Sequence, residues 1–287
     1  MALPSILSVD VEDYFHVEAF SKVVHRDQWN DFPSRVESNT HRILDLFDEC
    51  QVKGTFFILG WVANRFPRLV RQIVDRGHEP ACHSYWHRLI YTLTPDEFRA
   101  DTMRAKECIE QCAGQPVFGY RAPSFSIVSR SAWALDVLAE AGFRYDSSVF
   151  PVKHDTYGVP GAPRSPFQIM TSSGPIIECP MTTFRVARSP NLPLGGGGYL
   201  RMLPKWYTRF GIEQARRQGI PLICYIHPWE VDPEQPRIDA PLKSRLRHYT
   251  NLGKTAERLK ELIAGGSFTS FASSGLVGIS ELQTVKL

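Results

Sequence analysis

No apolar run in the chain approaches the ~20 residues of a membrane-spanning helix, which excludes a helical membrane protein. There is no Cys-x-x-Cys pair, so none of the six cysteines points to a cysteine-built zinc site. Five of the six lie in or beside apolar stretches, where a free thiol behaves as a small hydrophobe. Cys108 and Cys112 are one helical turn apart, an awkward geometry for a disulfide. Charge of one sign is also scarce. A formal net charge of +3 over 287 residues gives no reason to expect nucleic acid or an anionic membrane surface as partner. The start, Met1-Ala2-Leu3-Pro4-Ser5-Ile6-Leu7, has no basic region and meets Asp10 too early for a signal peptide, so the expected location is cytoplasmic. No Lys-Ser/Thr follows the glycine run Gly195–Gly198, which therefore reads as a flexible loop rather than a phosphate cradle.

What is present is a soluble, core-forming chain, 43% hydrophobic and 22% charged, of a length that suits one large α/β unit. Ile6 to Val11 alternates and is β-rich, which predicts a first strand ending in Asp10, Glu12 and Asp13. The pattern then predicts a helix over 34–49, a strand over 54–59 that is apolar on both faces, and a helix over 61–76 capped by Gly77. A short strand, Glu79 to Cys82, delivers His83-Ser84-Tyr85-Trp86-His87. Thr94-Pro95-Asp96-Glu97 carries an N-cap, a proline at the first helical position and a capping-box glutamate. Strands over 117–120 and 143–146 flank a helix over 131–141. Residues of about 151–204 break the rhythm with prolines and turns, predicting short antiparallel strands and loops. A helix over 205–218, a strand over 221–226 ending in His227, a basic stretch over 237–247, a helix over 254–263 and a strand over 268–271 complete the chain. The basic stretch reads as a solvated face that could also contact an anionic saccharide.

Strands alternating with helices predict α/β architecture with a parallel sheet, and no linker divides residues 1–287 into domains. In such folds sites form at the C-terminal ends of strands. Four polar clusters fall there: Asp10-Glu12-Asp13, His83-His87, Arg121-Ser124 and His227. Two imidazoles four residues apart plus a carboxylate make the donor set of a catalytic zinc with an open position. A second carboxylate could take a proton from attacking water, and His227 could protonate a leaving amine. Arg121 beside the base would favour its ionised form, and a backbone N–H at the Pro123-Ser124 turn could share an oxyanion. Together these parts describe amide hydrolysis.

The clusters resemble the motifs of the polysaccharide deacetylases of the NodB-homology group, carbohydrate esterase family 4. Ser8-Val9-Asp10-Val11-Glu12-Asp13 is similar to the first motif, and His83 to His87 matches the second in full. Arg121-Ala122-Pro123 resembles the third, Tyr145-Asp146-Ser147-Ser148 the fourth and Tyr225-Ile226-His227 the fifth. Asp10-Val11-Glu12-Asp13-Tyr14-Phe15, Tyr225 to Glu230 and Arg247 to Gly253 further resemble the subfamily encoded with exosortase-linked exopolysaccharide systems. The resemblance implies a distorted, incomplete (β/α)7-type barrel of mostly parallel strands, helices outside, with an antiparallel insertion at about 151–204. It implies a metal-dependent N-deacetylase, with Zn2+ as the expected ion, acting on an N-acetylated glycan or sugar precursor. A homo-oligomer would be compatible with it.

Carried over by residue, Asp10 would be the general base, Arg121 its partner, His83 and His87 ligands, His227 the general acid and Asp146 the residue orienting that acid. Pro123 and Ser124 would form the oxyanion and substrate turn. Val11 replaces the usual second aspartate, so the carboxylate ligand is Glu12 or Asp13; strand alternation puts Glu12 on the face of Asp10. Two other functions fit parts of the pattern: a metal-independent, allantoinase-like cyclic amide hydrolase and an inactive glycan-binding module. His16, His25 and His154 receive no role.

Overall fold

A computed structural model describes residues 5–279 and 282–287. Residues 1–4, on which the expectation of a leaderless start partly rests, lie outside the described residues. β1 (Ser5–Val11) is buried along its whole length and lies one strand in from an end of the sheet. β2 (Thr55–Ile58), β3 (Glu79–Cys82), β4 (Gly119–Tyr120) and β5 (Tyr145–Asp146) follow it in parallel on one side. The hairpin of β6 (Phe167–Thr171) and β7 (Gly174–Glu178) ends that side, with β7 parallel to β5 and β6 antiparallel at the edge. The segment 151–204 therefore does hold antiparallel strands, and it also contributes one parallel stave of the main sheet.

On the other side, β10 (Leu222–Ile226) runs parallel to β1 in the register Ser5↔Leu222 to Val9↔Ile226. β11 (Phe268–Thr269) pairs with Ser5 and Ile6 of β1, below the point where β2 begins its pairing at Ser8. Outside the sheet stand α1 (Val36–Glu49), α2 (Gly60–Arg65), α3 (Pro67–Asp75), α4 (Pro95–Ala113) and α5 (Ala134–Glu140). β8 (Thr183–Phe184) and β9 (Leu192–Pro193) form a small ladder before α6 (Gly198–Met202) and α7 (Lys205–Arg217). α8 (Leu242–Tyr249), within the basic stretch, and α9 (Thr255–Ala264) complete the helices.

The period-2 alternation of the strands divides the apolar residues into two cores. Leu7, Val9, Val11, Phe56, Ile58 and Ile226 pack outward against the helices. Ile6, Phe57, Ala81, Tyr145, Ile223 and Tyr225 fill the inside of the curved sheet with Phe125 and Phe271. Ser8 and Asp10 share the parity of Ile6 on β1, so the same alternation turns them inward at the C-terminal end.

Two expectations need correction. The helix expected over 61–76 is two helices, α2 and α3, broken at Phe66-Pro67. Proline has no N–H to continue a helix and pushes the residue before it out of the helical region; Phe66 sits at φ −127°, ψ 60°. The glycine run read as a flexible loop is instead laid against β10: Tyr225 N–H donates to Gly195 O at 2.9 Å and Gly197 N–H to Tyr225 O at 2.8 Å. Gly196 has φ +110°, and a Cβ there would stand 2.1 Å from Tyr225 O, so the close approach requires glycine. These bonds, with Thr182 Oγ1 meeting the Ile223 backbone, bridge the gap between β7 and β10 where no regular strand closes the barrel.

Candidate active site

The loop after β3 is tightly specified. Ser84 and His87 adopt positive φ (65° and 50°), an uncommon conformation for residues with a Cβ. The surroundings that enforce it centre on Asp101 of α4, which accepts from Ser84 Oγ (2.8 Å), Tyr85 N (2.7 Å) and Trp86 N (3.1 Å). The N-terminus of α2 adds Gly60 N donating to Ser84 O at 2.8 Å. This loop brings the imidazoles of His83 and His87 together, ring centroids 5.3 Å apart. His83 Nδ1 contacts the carbonyl of Arg121 at 2.8 Å; an oxygen acceptor there requires the Nδ1–H tautomer and leaves Nε2 as a lone pair. Burial lowers the His83 pKa to about 4, so the ring is neutral and able to ligate.

Glu12 joins the two histidines. Its carboxylate is buried, and one ligand atom from each of the three residues lies within 4.8 Å of the others. Oε1 accepts from Trp229 Nε1 at 3.2 Å. Oε2 stands 2.8 Å from His87 Nε2, yet has no hydrogen bond of acceptable angle. Two electron-rich atoms this close and not aligned for a hydrogen bond suit a shared cation, and the donor set is that of an open zinc site. Burial alone would raise the Glu12 pKa; the nearby imidazoles of His87, His227 and His83 outweigh it and hold the carboxyl well below its usual range. The residues present therefore fit a divalent ion.

Asp13, the alternative ligand, is turned away and fully engaged. Its Oδ2 accepts from Ser34 Oγ (2.6 Å), Arg35 N (2.8 Å) and Val36 N (3.1 Å), capping the start of α1, and Oδ1 accepts from Tyr14 N at 3.0 Å.

Asp10 sits beside the triplet with Oδ1 on Arg121 Nη1 at 2.7 Å. Arg121 is completely buried and has acceptors on every side: Nη1 also on Ser8 Oγ (2.8 Å), Nε on Ser147 O (3.1 Å), Nη2 on Ser147 Oγ (3.1 Å). Its guanidinium lies 4.1 Å from the centroid of Phe57. The following turn holds Ser124 and Phe125 at φ 52° and 54°. Phe125 N donates to Ala122 O and Ser126 N to Pro123 O, and proline has no N–H, so the amide this turn leaves for a ligand is that of Ser124.

His227 faces the triplet from the end of β10, the neighbour of β1, its Nε2 3.6 Å from Glu12 Oε1. The carboxylate that meets its Nδ1 is Glu230, at 2.7 Å. This corrects the expectation for Asp146, whose carboxylate instead accepts from Ser148 Oγ at 2.5 Å and lies beside the carboxyl of Glu178. Ser148 Oγ in turn accepts from Ala122 N at 2.8 Å, so Asp146 supports the Arg121 turn and does not reach the imidazole of His227. Burial alone would lower the His227 pKa; Glu230 and Glu12 outweigh it and raise it.

Asp101, Glu230, Trp229, Ser8 and Ser147 were not singled out from sequence. Only Glu230 carried a local signal, three residues after His227 across Pro228. His16, given no role, is buried beside the site with Nδ1 accepting from Asp13 N at 3.0 Å.

Comparison with known proteins gives two family matches. Residues 28–145 match the model described as polysaccharide deacetylase, and residues 147–274 match a domain of unknown function, DUF3473. The first contains His83, His87 and Arg121, the second His227 and Glu230; Asp10 and Glu12 precede both. A peptidoglycan-N-acetylglucosamine deacetylase from Bacillus cereus is 33% identical over 98 residues, 34% of this chain and 36% of that protein. A chitooligosaccharide deacetylase from a Bradyrhizobium species is 32% identical over 101 residues, 35% of this chain and 43% of that protein. The aligned part thus spans well under half the length of these curated relatives. Among solved structures, a Mycobacterium smegmatis protein assigned as a polysaccharide deacetylase superposes with a TM-score of 0.63 at 19% identity, covering 100% of this chain and 98% of its own. A Bacillus anthracis pseudoenzyme of family CE4 superposes at 0.50 and 16% identity, covering 99% and 67%. These likenesses establish the fold.

Proposed function

Residues 28–145 match the polysaccharide deacetylase family, and from that premise we propose that the chain is a metal-dependent hydrolase removing N-acetyl groups from N-acetylhexosamine units of a polysaccharide or its precursor, in exopolysaccharide synthesis. The observation that carries the reading is one mouth of the barrel holding Glu12, His83 and His87 together, with the Asp10–Arg121 pair on one side and His227 on the other. A divalent ion such as Zn2+, held by Glu12, His83 and His87, would polarise the acetamide carbonyl and acidify the attacking water.

The chain's own residues do the rest. Arg121 takes up Oδ1 of Asp10, which aims the carboxylate inward and leaves Oδ2 to accept the proton of the water. The Ser124 amide donates to the oxygen that becomes negative as the carbonyl carbon turns tetrahedral. His227, as the imidazolium that Glu230 and Glu12 favour, delivers its Nε2 proton to the departing amine, which leaves as the free hexosamine while acetate remains. Trp229 holds the Glu12 carboxylate from behind through its indole N–H.

Acetate release from N-acetylglucosamine oligomers and from acetylated glycan intermediates, with and without added Zn2+, tests the activity. Release that depends on the ion is expected; release unaffected by the ion would overturn the metal requirement, and no release from any acetylated glycan would remove the proposal. Asp10→Asn is expected to lose at least about 100-fold in kcat while retaining metal, the scale of a lost general base. The intact Asp10 and His227 are what separates this reading from a binding module, because binding alone needs neither a base nor an acid.

A further inference from the structure

We infer that Glu230, anchored by Arg201, is a positioning residue that locks the imidazole of His227 in the Nδ1–H tautomer, and that the segment of unknown function, 147–274, thereby supplies the whole acid arm of the site. The inference rests on the reading of His227 as the acid.

Pro228 opens a single 3-10 turn, Pro228–Val231, directly after β10, which returns Glu230 beneath His227. One oxygen, Glu230 Oε1, receives both the backbone N–H of His227 (3.1 Å) and its Nδ1 (2.7 Å). A carboxylate can only accept here, so Nδ1 must carry the hydrogen and Nε2 is left to face Glu12 and the substrate. The other oxygen, Oε2, is bonded to Arg201 Nε. Arg201 is also buried, and three of its four remaining N–H groups are used: Nη1 on the carbonyls of His248 (3.1 Å) and Thr250 (2.7 Å), Nη2 on that of Arg247 (3.2 Å). The ring cannot turn away either. Trp229 stacks on His227 with centroids 5.0 Å apart at 19°, and His248 stacks on the far face of the indole at 4.1 Å.

A purely structural pair would commit the carboxylate to Arg201; here half of it is given to the histidine that faces the reacting centre. Buried ion pairs are a poor source of net stability, which makes a functional reason for keeping this one the better account. Every member of the arm comes from residues 200–250.

Two measurements test this. In 15N-histidine-labelled protein, with and without Zn2+, His227 should show a protonated, hydrogen-bonded Nδ1; a bare Nδ1 with the hydrogen on Nε2 would overturn the inference. The double variant Glu230→Gln/Arg201→Met removes the pair without stranding a buried charge. It should lower kcat at least about 100-fold, on the scale of a lost general acid, with KM and metal content within about threefold. A wild-type kcat, or a loss carried wholly by KM, would refute it. If wild-type protein deacetylates nothing, the proposed activity fails, whereas the tautomer measurement still decides the role of Glu230; it also decides should the double variant not fold.

Discussion

Asp101 illustrates how much of the site depends on residues that touch no reacting atom. Its carboxylate satisfies three donors of the histidine loop, two of them backbone N–H groups of residues flanked by strained positions. Asp101→Ala would leave those donors buried and unmatched, at a cost of about 3 kcal/mol. It should also weaken metal binding about 10–100-fold, the usual effect of losing an outer partner of a ligand. Isothermal titration with Zn2+ and urea denaturation check both numbers, and unchanged affinity would show that the loop holds its shape without α4. The histidine pair, Arg121 and Asp10 could be read from sequence because residue type and strand-end position carry their chemistry. Asp101 could not, because an aspartate in the second turn of a helix looks like any solvated one until the fold sets β3 beside α4. The same holds for Glu230: the carboxylate expected to serve His227 was Asp146, a choice that spacing alone cannot make.

At the level of elements, the alternation of strands and helices was legible because period-2 and period-3.6 patterns are local. The capping box of α4 reads directly, with Glu97 N on Thr94 Oγ1 and Thr94 N on Glu97 Oε2. The glycine run was not legible, since what fixes it is the backbone of β10, about 30 residues further on. Gly196→Ala should cost at least about 2 kcal/mol, the scale of an unfavourable φ, with an added clash against Tyr225. Thermal melting would reveal it, and a wild-type melting temperature would mean that the contact with β10 is dispensable.

The end of β7 yields a pH effect. Burial, then the charge of Asp146, pushes the Glu178 carboxyl well above its ordinary 4.5. Folded protein therefore holds a proton that the unfolded chain releases above about pH 4.5, so this pair's contribution is full below that pH and declines as pH rises toward the folded pKa. Glu178→Gln, which carries its hydrogen at every pH, should gain at least about 1 kcal/mol relative to wild type between pH 5 and pH 8, the equivalent of one pKa unit. Parallel denaturation curves at the two pH values provide the comparison; a difference that does not change with pH would mean that the two carboxyls share no proton.

For the whole molecule, the two family-matched segments are halves of one sheet. β1 is flanked by β2 from one half and by β10 and β11 from the other, which brings His227 Nε2 within 3.6 Å of Glu12. An ion bound only by the folded form adds about 4 kcal/mol when present at a thousand times its Kd. Chelation should accordingly lower the melting temperature by several degrees and Zn2+ should restore it. Identical melting with and without chelator would mean that Glu12, His83 and His87 hold no ion. No helix among the described residues is long and apolar enough to cross a membrane. The sheet closure was the part least visible beforehand, since the gap between β7 and β10 is bridged by irregular backbone with no pattern to read.

That division has a consequence for synthesis on the ribosome. His87 leaves the exit tunnel about 140 residues ahead of His227, roughly 7–30 s at the usual rates of elongation. During that interval the nascent chain carries Glu12, His83 and His87, the three proposed ligands, while β1 still lacks β10 along one edge and β11 beside Ser5 and Ile6 on the other. On the proposed reading metal capture can precede completion of the barrel, and β10, the stave that brings His227, arrives only after β1 to β7 have been synthesised.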